Sequence, residues 1–481
     1  MTNLLGAGAM VASVKSFAKE KPAMDQSRKG SRPNILLLTA DDMGFSTPGC
    51  YGNTTPDITP NIDRLATEGV RFEQGFVTVS VCQPSRSVWV TGRYPWRNGA
   101  VGFNPILPGV PMLGEQLRKA GYYTGIIEKQ GHFAPCDKAN WDFRADRIED
   151  HGRNPGDYKE TVECFIKQGD KSGKPWMLIV NVNDPHRPFS GSDMEERNYS
   201  EETMPPDPSR IYDPEEVDVP GHLPDAPAVR KELSWYYNSA KRCDDIVGLL
   251  LKSLSEANHD EDTLVMFISD NGAPFPFAKG SAYRASTRVP WIVRWPGVVE
   301  PDTVDKQHFL NGIDLMPTLL DIAGAPMPEY MDGSSFLPVL KGKKQPKRDH
   351  VFTMFHRDQF RVLEIRALHT EKYGYIYNAW AAWEDGDNVF VADNMIGIMH
   401  PAAEKDPRIA ERVQFYLHRA PEELYDYESD PHALVNLVDS PLPEHQAALK
   451  RMRSRMDKWM KEKGDPNYAG FRMYMNHIKK K

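Results

Sequence analysis

No uninterrupted apolar run in the 481 residues approaches the roughly 20 positions that a membrane-spanning helix requires, which excludes an integral helical membrane protein. Cysteine is scarce. Five residues are too few for a disulfide scaffold in a chain this long, and the spacing of Cys50, Cys136, Cys164 and Cys243 establishes no bridge. A basic surplus is missing as well: Lys and Arg total 59 against 67 Asp and Glu, a net charge of −8. That balance argues against a nucleic-acid protein, which normally shows a basic excess or a concentrated basic face. With 40% hydrophobic and 26% charged residues, intrinsic disorder is not expected. No internal repeat is present. At roughly 100–200 residues per domain, the length admits two or three domains, or one large α/β domain with an appendage.

Residues 1–32 read as a lead-in. Leu4 to Val14 is small and apolar, like the core of an export signal, but lacks the positive segment that should precede it. It is equally well a weakly apolar tail, followed by a polar stretch from Lys19 to Arg32 that is expected to be disordered. The fold is expected to begin near Pro33. Three short, almost wholly apolar runs follow, Asn34–Ala40, Trp176–Val182 and Thr263–Ser269. Continuous runs of that length suit strands covered by helices on both faces, the mark of a largely parallel sheet. Helical patterns cover Ile62–Glu68, Met112–Ala120 and Glu232–Leu254, and Tyr199–Ala228 reads as a long ordered loop. Beyond about Asp349 the texture changes. Arg361–Leu368 and Tyr373–Asn378 are expected strands of a small antiparallel sheet, and Glu444–Lys463 an expected helix. The predicted layout is an α/β domain over 33–348 and an α+β subdomain over 349–481.

Each apolar run ends in polar residues able to bind metal. The first is followed by Asp41-Asp42, the second by Asn183-Asp184-Pro185-His186-Arg187, the third by Asp270-Asn271-Gly272. Ligand sites in open α/β sheets lie beyond the carboxyl ends of strands, so these groups are expected to converge. A single Asp after a strand is usually a turn former; three such ends weaken that reading. Asp41, Asp42, Asp270 and Asn271 offer only oxygen, the donor set of calcium or magnesium. Crowded carboxylates repel one another, which is a physical reason to expect a cation among them.

Cys82 opens the stretch Cys82-Gln83-Pro84-Ser85-Arg86, which continues to Thr91-Gly92-Arg93. The proline suits a first helical turn. There a side chain meets unpaired backbone N–H groups and the positive end of the helix dipole, which favours an anionic nucleophile or substrate. Arg86, one turn on, shares the face of Cys82.

On these residues the sequence resembles the type I sulfatases of the alkaline phosphatase superfamily. Cys-x-Pro-Ser-Arg, four residues and Thr-Gly-Arg form that family's maturation signature, and the Asp-Asp, the His and the Asp-Asn-Gly after the three strands accompany it. The likeness extends from about Pro33 to Asn436. It implies an alkaline phosphatase-like fold, with a large and mostly parallel mixed sheet between helices. It also implies that a formylglycine-generating or anaerobic sulfatase-maturing enzyme oxidises Cys82 to formylglycine. The aldehyde hydrates to a gem-diol, one of whose oxygens attacks sulfur while the other later helps to expel sulfate. By the same resemblance Asp41, Asp42, Asp270 and Asn271 bind calcium together with position 82, Arg86 holds the nucleophile side, and His186 protonates the leaving atom or contacts sulfate. Lys279 matches the basic residue past Asp-Asn-Gly. Lys129 and His132 match a Lys and His that the family spaces as Lys-x-His. Here they are one residue further apart, and Gly131 makes a bulge the expected remedy.

Within the family the local likeness is to heparan N-sulfatases, through Asn183–Pro188, Asp270–Pro276, Tyr212–Asp225 and Leu424–His432, although those enzymes carry Arg where this chain has Lys279. The implied substrate is a sulfated carbohydrate, with glucosamine N-sulfate preferred. O-sulfates of algal or host polysaccharides, a phosphonate or phosphodiester substrate, and a non-catalytic sulfoglycan-binding role with Cys82 unmodified stay open. Asp184, Arg187, Trp96, Arg97, His222, His356 and Arg357 are candidate substrate contacts. A polymeric substrate and the apolar N-terminal stretch lead to an expectation of a periplasmic or secreted enzyme.

Overall fold

The three apolar runs become three neighbouring strands with the expected boundaries. The computed structural model describes residues 32–135, 140–146, 152–357, 362–382 and 394–480, so the expected export or disordered segment lies outside the described residues except for Arg32, and Cys136 lies outside them too. Along the chain the strands are β1 (Asn34–Ala40), β2 (Val70–Phe72), β3 (Gly75–Phe76), β4 (Tyr123–Ile127), β5 (Phe143–Ala145), β6 (Trp176–Val182), β7 (Thr263–Ser269), β8 (Trp291–Arg294), β9 (Thr303–Asp305), β10 (Leu310–Asn311), β11 (His350–Arg357), β12 (Val362–Thr370), β13 (Tyr373–Asn378) and β14 (Glu422–Asp426). Eight of them form a sheet in the order β5-β4-β6-β1-β7-β8-β2-β9. The five strands from β5 to β7 pair in parallel, and only β8 runs against its neighbours.

Side chains of a strand alternate between the two faces of its sheet. In β1, Leu36, Leu38 and Ala40 enter one apolar layer with the Pro155–Ser172 and Pro227–Glu256 helices, while Ile35 and Leu37 enter the other with the Cys82–Thr91 and Leu315–Ile322 helices. Both faces are thus covered, which is why these strands read as unbroken apolar runs. The Pro227–Glu256 helix starts earlier than its periodicity predicted, with Pro227 in its first turn and Val229 buried.

The C-terminal part has its own four-stranded antiparallel sheet, β11-β12-β13-β14, and its own apolar layer with the Pro443–Lys463 and Tyr468–Ile478 helices. The latter helix was not anticipated. A parallel bridge between Val79 and Met354, with the Met354 amide donating to the Thr78 carbonyl at 2.8 Å, fastens β11 to the segment leading into Cys82. No described helix is long and apolar enough to cross a membrane.

Buried ion pairs lock the C-terminal sheet. Arg366 bonds Asp465 at 2.6 and 3.1 Å, and Glu364 lies 2.7 Å from Arg366 and 2.8 Å from the His356 ring. Burial alone would raise the Glu364 pKa, but His356 and Arg366 hold it down to about 2. A depressed carboxylate contributes stability above its unfolded value, near 4.5, and loses it as pH falls towards 2. Glu364→Gln is therefore expected to lower Tm by a few degrees at pH 6 and by progressively less below pH 4.5. A Tm difference that stays constant on acidification would contradict this assignment.

Candidate active site

Ala40 pairs with both Val182 and Ser269, so β6, β1 and β7 end level and their polar continuations leave the same edge of the sheet. One oxygen from each of Asp41, Asp42 and Asp270 lies within 4.8 Å of the others, and all three residues are buried. The Asp42 amide donates to Asp270 Oδ1 at 3.1 Å. Each carboxylate also leans on one cation. Arg86 meets Asp270 through Nε at 2.9 Å and Nη2 at 2.7 Å, Lys129 Nζ lies 2.5 Å from Asp41, and Lys279 Nζ lies 2.6 Å from Asp42.

These cations do not fully offset burial. Burial pushes the Asp42 carboxyl up against the pull of Lys279, with Asp41 adding to the rise; burial likewise pushes Asp270 up against Arg86. Asp41 moves the other way. Burial would raise it, but Lys129, His186, Arg86 and Lys279 together hold it well below the usual carboxylate range. The three cations match the three acids in number, yet burial leaves two of the carboxyls pushed towards protonation. Asn271 donates from Nδ2 to Asp42 at 2.7 Å, while its Oδ1 is buried without a partner among the described residues. Three carboxylates and an orphaned amide oxygen form an all-oxygen donor set that fits a hard divalent cation.

Cys82 begins the Cys82–Thr91 helix, every residue of which is buried. Its Sγ lies 3.4 Å from Asp41 and 4.0 Å from Asp42. Burial, reinforced by Asp41, raises the thiol well above its ordinary pKa, so the unmodified side chain is a poor nucleophile. Arg86 is completely buried and also donates from Nη1 to Thr39 and Asn181. His186 approaches Asp42 through Nε2 at 3.9 Å, and its Nδ1 donates to the Arg187 carbonyl at 2.6 Å. Burial and then Lys279 push its imidazole down to about 3, a push that solvent softens because about a third of the side chain (36%) is exposed.

The longer Lys129–His132 spacing is absorbed by a 3-10 turn over Gln130–Phe133, not by the expected β-bulge. Glu128 and Lys129 both adopt left-handed backbone, with φ of 60° and 55°. Lys129 thereby reaches Asp41. His132 keeps its Nδ1 buried without a partner among the described residues, and burial followed by Lys129 and Arg86 drives its pKa to about 3. The ring is neutral.

A model of the sulfatase family matches residues 33–325, more than half the chain. The chain belongs to the sulfatase family. A second model, described as the C-terminal part of N-sulphoglucosamine sulphohydrolase, matches residues 275–389. The sulfatase is 31% identical to human N-sulphoglucosamine sulphohydrolase over 91% of both chains. It is 29% identical to an ulvan-active sulfatase of Formosa agariphila over 90% of this chain and 76% of the other. Its fold is that of a solved 2-O GAG sulfatase, with a TM-score of 0.69 at 20% identity over 91% of this chain and 94% of that one. The enzyme is thus a hydrolase of sulfate esters or sulfamates with the expected alkaline phosphatase-like architecture.

Most of the expected substrate contacts are engaged elsewhere in the sulfatase. Asp184 is fully buried between Arg153, at 3.1 Å, and Arg242, at 2.6 Å, so it cannot also face a sugar. Arg187 pairs with Glu232 and covers the Phe189 ring. Trp96 stacks on Tyr94, Arg97 pairs with Asp332 at 2.9 Å, and both donate to the Lys463 carbonyl at the end of the Pro443–Lys463 helix. His356 is buried against Glu364. His222 is buried beside His432, with burial pushing its pKa to about 3. Arg357 is half-buried and lays its stem against Gly102, where even a Cβ would lie 2.6 Å from it. It adjoins the loop that carries Phe103, whose exposed ring meets His132 edge-on at 6.2 Å.

Sequence reasoning missed Asn181. It faces Thr39 across β1 and β6 and accepts hydrogen bonds from Thr39 and Arg86. From Nδ2 it donates to the carbonyls of Ile127 and Glu128, each at 2.9 Å. One amide therefore fixes Arg86 and the turn that presents Lys129. The available signal was a lone Asn and a lone Thr inside otherwise apolar strands.

Two substitutions test these assignments. Asp184→Ala strands two buried guanidinium groups and is expected to cost about 3–5 kcal/mol of stability; unchanged Tm with only a raised KM would instead return Asp184 to the substrate pocket. Asn181→Leu is expected to lower kcat about tenfold to a hundredfold while the protein stays folded. Circular dichroism and steady-state kinetics check both.

Proposed function

We propose that the enzyme removes sulfate from a sulfated sugar, with glucosamine N-sulfate preferred, using a formylglycine formed from Cys82 by a maturing enzyme and a calcium ion held by Asp41, Asp42, Asp270 and Asn271. The observation that carries this reading is the position of Cys82, at a buried helix N-terminus in contact with Asp41 and Asp42, whose carboxylates in turn hold Lys129 and Lys279. A hydrated formylglycine supplies a gem-diol nucleophile that can release its sulfate by elimination. Three acids and three cations cancel, so a bound divalent cation gives the pocket a double positive charge for an anionic substrate and an ionised nucleophile.

The chain's own residues do the rest. Lys129 and Lys279, each within 2.6 Å of a carboxylate, are placed to turn towards sulfate oxygens once those carboxylates engage a metal. Arg86 stays fixed by Asp270, Thr39 and Asn181 and pulls Asp270 towards its ionised form against the opposing effect of burial. His186 fixes its tautomer by donating Nδ1–H to Arg187, which leaves Nε2 to exchange a proton with the leaving atom. Arg357, beside the loop that carries Phe103, is a candidate contact to the sugar. Identity to N-sulphoglucosamine sulphohydrolase supports the N-sulfate preference. Lys279 in place of the arginine of N-sulfatases, with similarity to an ulvan-active sulfatase, favours an O-sulfatase as the second reading. A polymeric substrate and the apolar Leu4–Val14 stretch support export.

A panel of N- and O-sulfated monosaccharides, assayed with protein co-expressed with a maturing enzyme, separates these readings. Glucosamine N-sulfate is expected to turn over fastest and Cys82→Ala to turn over nothing. Preference for an O-sulfated sugar would install the second reading, and faster hydrolysis of aryl phosphodiesters would overturn both.

A further inference from the structure

A cleft of about 550 Å3 lies apart from the catalytic residues and includes none of them. Tyr94, Phe352 and Trp459 supply its aromatic walls, Phe352 stacking on Trp459 at 4.5 Å, and Ser334, Gln345 and Asn311 add neutral polar groups. Cys82 opens the ten-residue Cys82–Thr91 helix, about 15 Å long at 1.5 Å per residue, and the cleft residue Tyr94 follows its far end.

The segment Lys341-Gly342-Lys343-Lys344-Gln345-Pro346-Lys347-Arg348 rims this cleft, with its last four residues in the lining. Arg348 is committed to Asp314 at 2.7 Å, and Lys463 on the opposite side faces Asp332 at 3.5 Å. The cleft's own acids are thereby countered. Lys341, Lys343, Lys344 and Lys347 are all exposed, and none makes an ion pair or side-chain hydrogen bond among the described residues. Four uncompensated ammonium groups in seven positions stand out on a chain whose net charge is −8. Clustered lysines attract a polyanion through long-range, salt-sensitive attraction.

We propose that this cleft and its lysine rim dock a length of sulfated polysaccharide remote from the sulfate being cleaved. The proposal rests on the reading of the enzyme as a carbohydrate sulfatase. A polymer held there is presented to the catalytic pocket at high local concentration, whereas a monosaccharide is too short to touch both places.

The test compares the mature enzyme with a variant carrying Lys341→Gln, Lys343→Gln, Lys344→Gln and Lys347→Gln. Substrates are a sulfated monosaccharide and a long heparin chain, and heparin binding is measured separately at rising salt. The expected result is a KM for the chain raised about tenfold in the variant, with weaker and less salt-dependent heparin binding. kcat and KM for the monosaccharide should not change. Equal chain KM and equal heparin affinity in the two proteins would overturn the proposal, as would duplex DNA of matched charge binding the rim as tightly as heparin. Should neither protein hydrolyse any sulfated sugar, the catalytic reading fails; heparin binding by the wild type and its loss in the variant still decide the docking site.

Discussion

Three carboxylates held together out of water at one edge of a sheet are the constraint around which this molecule is organised. Buried like charges repel, and burial penalises each of them. The chain answers with Arg86 on Asp270, Lys129 on Asp41 and Lys279 on Asp42, one cation drawn from a helix, one from a turn and one from a loop. Even so, Asp42 and Asp270 remain pushed towards protonation, and the Asn271 oxygen beside them lacks a partner among the described residues. Buried acids that their own three cations leave pushed towards protonation, beside an unpartnered amide oxygen, fit a divalent cation.

That arrangement needs rigidity, and the surrounding structure supplies it in layers. Level ends on β6, β1 and β7 bring the acids together. Asn181 couples Arg86 to the Lys129 turn, and Asp184 gathers Arg153 and Arg242 so that the His186 segment is fixed from below. Gly272 lies so close to the carbonyls of Ala285 and Ala278 that a Cβ would approach within 2.1 and 2.4 Å, so the segment after Asp270 and Asn271 packs with no side chain between. The C-terminal sheet contributes through the Val79–Met354 bridge, which steadies the approach to Cys82.

Much of this was legible in the sequence because the signals were local. Apolar runs without alternation marked β1, β6 and β7, and the polar residues after them marked one edge of the sheet. The signature around Cys82 marked both the helix and the position proposed for the nucleophile. What was not legible depended on partners far away in the chain. Asp184 looked like a pocket residue because its two arginines lie 31 positions upstream and 58 positions downstream, in unrelated segments. Trp96 and Arg97 looked available because the Lys463 carbonyl that takes them up is more than 360 residues away. The extra residue between Lys129 and His132 suggested a bulge; the chain instead uses two left-handed residues and a short helical turn, anchored by Asn181 through the carbonyls of Ile127 and Glu128.

The central claim is that these buried oxygens bind a divalent cation. Calcium titration by calorimetry, with elemental analysis of the purified protein, measures it directly, comparing the wild type with Asp270→Asn. The account predicts one calcium per wild-type chain and binding weakened or lost in the variant, with the fold preserved. A wild-type protein that takes up no calcium or magnesium, or a variant that binds as tightly as the wild type, would contradict it.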